Sequence, residues 1–275
     1  MVRRAVGITQ GGIMKTIVIT GSTRGIGYGL ADAFLNLGCA VTLNGRTQDS
    51  VEQALEGLAA KHGVERLLGH SCDVTDLQQV QALWDAAKTH WGQIDIWINN
   101  AGIAHPQMGF IDLPPERIQA VVETNVIGAM YGAKVALRGM LEQGFGVLYN
   151  MEGLGSGGRR VEGLTLYGTT KHSLRYLTDA LAQEVQGTPI QVGALRPGMV
   201  VTDMLTSQFE GQPEEWERAK RAFNILADRV ETVTPWLAQK ALSNDKNGAR
   251  IVWLSRLKVM GRFLMAPVRQ RDLFE

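Results

Sequence analysis

The sequence predicts an α/β fold in which a mostly parallel, seven-stranded sheet is doubly wound by helices. Three observations point to that class. Short β-branched runs alternate with longer helical patterns from Lys15 to about Val252. Four of the runs, IVIT, VTLN, IDIWIN and VLYN, are nearly continuous in apolar residues, as parallel strands covered by helices on both faces must be. Glycine accounts for 32 of 275 residues against only 8 prolines, an excess that marks tight backbone turns rather than disorder.

The elements follow in order. A strand at 16–20 runs into a glycine-rich turn and a helical pattern at 26–37, and a second strand at 40–44 leads to a helix at 50–61. Strands at 66–71 and 94–98 bracket a helix at 76–90, and a long helical pattern at 116–142 precedes the strand at 146–150. A helix at 165–186, a strand at 190–195 and a late strand at 250–254 complete the series. Right-handed crossovers then place any site at the carboxyl ends of the strands. The stretch 203–245 breaks the rhythm with two helical patterns between the last two strands, where an insertion can act as a substrate lid. Because Met14 precedes the first strand, 14–275 reads as one domain and 1–13 as an N-terminal extension.

Composition narrows the function. Lys and Arg number 28 and Asp and Glu 27, a net charge of +1, which offers no broad field for nucleic acid. Cys39 and Cys72 are far apart in apolar or strand-like surroundings, as expected of reduced, buried thiols in a cytoplasmic protein. The five histidines show no metal-ligand spacing, so no metal is expected. The start MVRRAVGITQGGI lacks the apolar run of a secretion signal or anchor, and no stretch reaches the ~18 apolar residues of a spanning helix.

The chemistry begins at Thr20, Gly21, Ser22, Thr23, Arg24, Gly25, Ile26 and Gly27, a glycine-rich turn between the first strand and its helix. Glycines let a pyrophosphate approach the backbone, and a helix N-terminus offers unbonded N–H groups and positive potential. After the second strand the sequence reads Leu43-Asn44-Gly45-Arg46, with no acid until Asp49. Arg24 and Arg46 suit the 2′-phosphate of NADP(H), whereas an acid there would bind the ribose hydroxyl of NAD.

That turn, Asn99-Asn100-Ala101-Gly102 after the fourth strand, and Tyr167-x-x-x-Lys171 together resemble the short-chain dehydrogenases/reductases. The resemblance covers about 15–200 and implies a Rossmann-fold oxidoreductase acting on a carbonyl or alcohol, working as a dimer or tetramer. Asp73 and Val74 resemble the family's adenine-contacting pair. Pro197 and Gly198 resemble the turn facing the nicotinamide, with Val200 and Thr202 following where the family contacts the carboxamide. An isolated tyrosine, with a pKa of about 10, is a poor acid–base group at neutral pH and needs a nearby cation. Lys171, one helical turn after Tyr167, supplies it from the same face and reaches the nicotinamide ribose. Asn125 matches the family asparagine that kinks its helix and holds a water for a proton relay. Most relatives carry a serine about thirteen residues before the tyrosine, where this chain has Gly153 and Leu154. The nearest hydroxyl is Ser156, which a rearranged glycine-rich loop would deliver to the carbonyl.

The departure itself points to a subfamily. NMEGLGSGG at 150–158, IDIWINNAG at 94–102, RPGMVVTDML at 196–205 and FNILADRVETV at 223–233 resemble the chlorophyll(ide) b reductases. That resemblance implies NADPH-dependent reduction of a 7-formyl to a 7-hydroxymethyl group on a tetrapyrrole pigment. Trp216, Phe223, Leu226 and Trp236 in the insertion would suit a large flat ligand, and His105 and Met108 lie where they could border it. The segment 251–269 combines apolar bulk with Arg256, Lys258, Arg262 and Arg269; it reads as a strand and closing helix at a subunit interface, or as a basic amphipathic segment able to rest on a membrane. Two other readings stand beside this one: a reductase or dehydrogenase of a 3-oxoacyl thioester or steroid-like alcohol, and a non-catalytic NADP sensor. A sensor has no use for an acid–base tyrosine.

Overall fold

A computed structural model describes residues 14–209, 211, 213–268 and 271–274; the expected N-terminal extension and Arg269 lie outside them. The strands are β1 (Thr16–Ile19), β2 (Ala40–Gly45), β3 (Leu67–Ser71), β4 (Ile96–Asn99), β5 (Gly146–Met151), β6 (Ile190–Arg196), β7 (Val200–Val201), β8 (Asp228–Arg229) and β9 (Arg250–Val252). Seven of them form one sheet in the order β3-β2-β1-β4-β5-β6-β9, every pair parallel. The strand order reverses at β1 and β4, and such a reversal opens a crevice at the strands' carboxyl ends. All seven expected strands are present, the fourth starting two residues late. There Asp95 turns back to accept hydrogen bonds from the Thr16 N–H and the Lys15 ammonium.

The helices are α1 (Gly25–Asn36), α2 (Gln48–His62), α3 (Leu77–Trp91), α4 (Pro115–Val122), α5 (Gly128–Gln143), α6 (Thr165–Glu184), α7 (Asp203–Thr206), α8 (Pro213–Leu226), α9 (Val230–Leu242) and α10 (Arg256–Met265). The long pattern at 116–142 is helical throughout but widens into a π turn over Glu123–Ile127, between α4 and α5. Alternation along β1 shows how the layers arise. Ile17 and Ile19 pack with Leu30, Phe34 and Leu58 on one face, whereas Val18 packs with Leu83, Trp84 and Trp97 on the other. Cys39 and Cys72 are free and buried, and burial pushes their thiols up to about 11 and about 12.

The inserted helices between β6 and β9 have different roles. Val233, Leu237 and Ala238 of α9 are fully buried in the core with Leu30 and Phe34 of α1. The proposed lid over 203–245 therefore shrinks: α9 belongs to the sheet's covering layer, and only 203–226 stands outside it. In α8 only Leu226 is buried. The short pair β7 and β8 ties the base of this outlying segment together.

Gly29 allows α9 to lie against α1, since a Cβ there would come within 2.2 Å of Val230 Cγ1 and 3.0 Å of Thr234 Oγ1. A side chain at 29 would gain about 1 kcal/mol of helix propensity. It would force apart two buried helices with a β-branched, stiff neighbour, a cost of roughly 1–3 kcal/mol. Gly29→Leu should thus lower stability by about 2 kcal/mol, measured by urea denaturation; an unchanged midpoint would show that α9 is not clamped to α1.

Candidate active site

The glycine-rich turn is folded by its own polar groups. Gly21 adopts φ +61°, and a Cβ there would lie 2.8 Å from Ala101 Cα, so the turn and the loop after β4 approach backbone to backbone. Asn100 Nδ2 donates to the Thr20 and Gly21 carbonyls, both at 2.9 Å. The Thr20 hydroxyl accepts the Asn100 and Ala101 N–H groups. Ser22 and Asn44, expected at the cofactor, are buried and committed inward. Ser22 Oγ donates to Ile19 O at 2.7 Å, while Asn44 Oδ1 accepts from Gly21 N–H and its Nδ2 donates to Cys72 O. They shape the turn rather than line it.

What remains available suits a dinucleotide. Arg24, at the N-cap of α1, makes no side-chain capping bond, so the first-turn N–H groups are open to an anion. Arg24 and Arg46 are both exposed and neither forms an ion pair among the described residues. Gly25 (φ +58°) faces the Thr202 methyl, which brings the segment after β6 beside the turn. Gly198 takes φ +79° with Leu254 packed against it; Pro197 and Val200 are buried. Asp73 closes its own turn by accepting from Thr75, and Val74 is buried against Gly128. These residues fit NADP(H): backbone donors for the pyrophosphate, cations for the 2′-phosphate.

Beside this crevice α6 carries Tyr167 and Lys171. Lys171 is 4% exposed; its Nζ donates to Met151 O at 3.2 Å and lies 5.7 Å from the centroid of the Tyr167 ring. Burial pushes the Tyr167 phenol up to about 12 and the Lys171 ammonium down to about 8, the latter opposed by the nearby Glu152 carboxylate. Asn125, fully buried in the π turn, accepts from Ile103 N–H at 2.8 Å and donates to Ile103 O and Thr170 Oγ1. It joins the loop after β4 to α6. Gly102 lies between them, its Cβ direction facing Asn125 Oδ1 and Lys171 Nζ.

Ser156 is fully buried, and its hydroxyl donates to Gly153 O at 2.8 Å within the loop after β5. Gly153 meets Tyr167 directly: a Cβ there would be 2.9 Å from the phenol oxygen. The structure thus brings the Ser156 turn to the phenol through Gly153.

Three sequence readings change. His105 does not border an open site: it is 2% exposed and its Nε2 accepts the Tyr167 N–H. Met108 packs against the small cluster of Leu113, Val121 and Leu166. Trp236 faces Trp253 at 5.4 Å, away from the ring cluster that Trp216 and Phe223 form with Phe209 and Phe274. The residue that sequence reasoning missed is Glu152. Its side chain is wholly buried and pairs with Arg196 and with Arg250, whose Nε lies 3.0 Å away. An acid directly after a buried strand was the available signal. Phe209 and Trp216 also line an open cleft of about 550 Å³ with Asp203, Thr206, Ser207, Gly211 and Pro213.

Comparison with known proteins agrees with this geometry. A family model described as short chain dehydrogenase matches residues 15–213. A probable chlorophyll(ide) b reductase of Oryza sativa subsp. japonica is 33% identical over 95% of this chain and 54% of its own. The chloroplastic chlorophyll(ide) b reductase NOL of Arabidopsis thaliana is 38% identical over 85% of this chain and 67% of its own. A 3alpha-hydroxysteroid dehydrogenase of Mediterraneibacter gnavus is 35% identical over 70% of this chain and 76% of its own. The chain spans about half the length of the first of these relatives. Among solved structures, levodione reductase superposes with a TM-score of 0.78 at 25% identity, covering 89% of this chain and 97% of that one. A closed serine dehydrogenase complexed with NADP+ gives 0.76 at 25% identity, covering 87% and 94%. The chain belongs to the short-chain dehydrogenase family of oxidoreductases.

Proposed function

We propose that this chain is an NADPH-dependent reductase that converts the 7-formyl group of a chlorophyll(ide) b-type pigment to hydroxymethyl. The loop after β5 carries the reading: NMEGLGSGG replaces the usual serine-bearing segment, and relatives 33% and 38% identical over 95% and 85% of the chain are named chlorophyll(ide) b reductases. A second reading rests on the steroid dehydrogenase relative, whose similarity covers a smaller share of the chain. The reading includes a homo-oligomer, as the family resemblance implies. It also includes a pigment-bearing membrane beside α10, where Leu257, Met260, Leu264 and Val268 are all exposed. No described helix is long and apolar enough to cross a membrane, so the contact would be peripheral. The chlorophyll(ide) b reductase relatives are chloroplastic by name, and the buried free thiols suit any reducing compartment, the cytoplasm among them.

NADPH, held by Gly21, Thr23 to Gly27, Arg46, Asn100 to Gly102 and the 197–202 turn, would supply a hydride to the formyl carbon. Tyr167 gives the oxygen its proton. Its raised pKa keeps it a neutral phenol at physiological pH, the form a reduction needs. Lys171, still charged at pH 7, stabilises the phenolate left behind. Both amide hydrogens of Asn125 are committed to Ile103 and Thr170, so proton resupply through water would use an oxygen of the π turn. Ser156 polarises the formyl oxygen only if its hydroxyl turns from the Gly153 carbonyl.

Purified protein given NADPH and chlorophyllide b should consume the formyl-shifted absorption band, and Tyr167→Phe should abolish that turnover while NADPH binding stays within about twofold. A wild type inert on the pigment but active on a steroid would favour the second reading, and an active Phe variant would remove Tyr167 as proton donor. Ser156→Ala should lower kcat by roughly 10²; unchanged kcat with reduced stability would leave Ser156 as a lock on its turn.

The pH dependence follows from Lys171. Because kcat/KM reports ionisations of the free enzyme, it should be level near pH 6–7 and fall through a midpoint of about 8 as the ammonium loses its proton. Lys171→Arg, charged up to about pH 12, should remove that alkaline limb at a lower rate. Glu152→Gln withdraws the carboxylate that favours the ammonium and should move the limb to lower pH. It should also destabilise the fold by about 2 kcal/mol, since Arg196 and Arg250 keep partial access to water. An alkaline limb unmoved in both variants would detach it from Lys171.

A further inference from the structure

The loop after β4 makes contacts that the reaction as derived above does not use. His105 Nδ1 lies 2.7 Å from Pro106 O, a carbonyl that can only accept, so the ring carries its proton on Nδ1 and presents a lone pair at Nε2. That lone pair accepts the Tyr167 backbone N–H at 3.3 Å. Tyr167 is the third residue of α6, and the N–H groups of a helix's first turn have no acceptor within the helix. The N-cap position, Leu164, makes no side-chain capping bond. A histidine from a distant loop thus does for α6 what a serine or aspartate normally does from within the chain.

The loop that carries the imidazole is held from both sides. Gln107 Nε2 donates to Glu162 O at 3.0 Å and Met108 N–H to Gly163 O at 3.2 Å, stitching the loop to the segment that enters α6. The Gln107 N–H donates to Gln208 O at 3.1 Å, in the short turn Ser207–Phe209 beside the cleft. The loop is thus tied to the outlying segment as well as to the start of α6, and His105 is buried between these ties.

We propose that His105 is a positioning residue: by accepting the Tyr167 N–H it sets the first turn of α6, and with it the place of the phenol oxygen. This rests on the reading of Tyr167 as proton donor. The leverage is large, because the oxygen sits at the far end of the side chain from the anchored amide. A misplacement of about 1 Å at a reacting group costs on the order of 10² in rate.

Three variants of the full chain test it. A glutamine carboxamide oxygen reaches roughly where Nε2 sits, whereas an asparagine reaches only as far as Nδ1. His105→Gln should keep most of the wild-type kcat, while His105→Asn and His105→Leu should lose about tenfold or more, all with KM for NADPH unchanged. Amide hydrogen exchange at Tyr167, read by NMR or fragment mass spectrometry, should be about tenfold faster in the Asn and Leu variants than in wild type or Gln. A residue that merely fills space would show Leu as the best replacement and no rescue by Gln. Equal kcat in the Gln and Asn variants, whether high or low, overturns the proposal, as does unchanged Tyr167 exchange in whichever of Asn and Leu folds. The exchange measurement needs no substrate, so its failure counts against His105 alone, whereas an active Tyr167→Phe defeats the catalytic reading beneath it.

Discussion

A buried ammonium beside a desolvated phenol is the constraint around which this molecule is arranged. Removing water disfavours both charged forms, which is why the Lys171 ammonium drops to about 8 while the Tyr167 phenol climbs to about 12. Left alone, such a lysine would sit neutral near physiological pH and lose its use. Two groups keep it charged: the Met151 carbonyl, which accepts from Nζ, and the Glu152 carboxylate close by. Glu152 is itself wholly buried, and its carboxylate is paired with Arg196 and Arg250, which converge on it. These groups come from the ends of β5 and β6 and the start of β9, so the register of three strands places the charges around Lys171.

The same strand ends are joined by uncharged groups. Asn99 Nδ2 donates to Asn150 Oδ1 across β4 and β5, and Asn150 Nδ2 reaches Thr178 on α6. Asn125 then links the loop after β4 to Thr170 on the same helix. No buried side-chain polar atom among the described residues lacks a partner. A fully satisfied polar network in a low-dielectric setting is stiff, because any displacement leaves a desolvated group unpaired. The helix that presents Tyr167 and Lys171 is thus fixed along its length by amides, and His105 supplies the fixing at the end where the turn would otherwise fray.

Much of this was legible in the sequence where local pattern and tertiary role coincide. Unbroken apolar strands, the glycine turn after β1 and the one-turn spacing of Tyr167 and Lys171 carry their meaning in neighbouring residues. What escaped depends on partners far along the chain. Both inserted stretches read as helices, and it is the meeting of Gly29 with Val230 that puts α9 in the core while α8 stays outside. Ser22 and Asn44 lie in the cofactor turn but spend their hydrogen bonds holding its shape. A lone histidine gives no sign that a backbone N–H will meet it, and Glu152 acquires significance only once Arg196 and Arg250 are known to lie on adjacent strands.

The loop after β5 shows how the departure from the family pattern is accommodated. The phenol oxygen stands so close to residue 153 that a Cβ there would approach it to 2.9 Å, so any larger residue would crowd the phenol. Glycine keeps that approach open, and Gly155, with φ +96° and Gly168 Cα 2.5 Å from its Cβ direction, lets the loop press onto α6. A hydroxyl cannot then come from the usual place. It stands three residues after Gly153 instead, bonded back to the Gly153 carbonyl, so the turn that clears room over the phenol is closed by its own serine. The clearance over the phenol and the place of the Ser156 hydroxyl are consequences of a single glycine-rich turn, and a change in either alters the other.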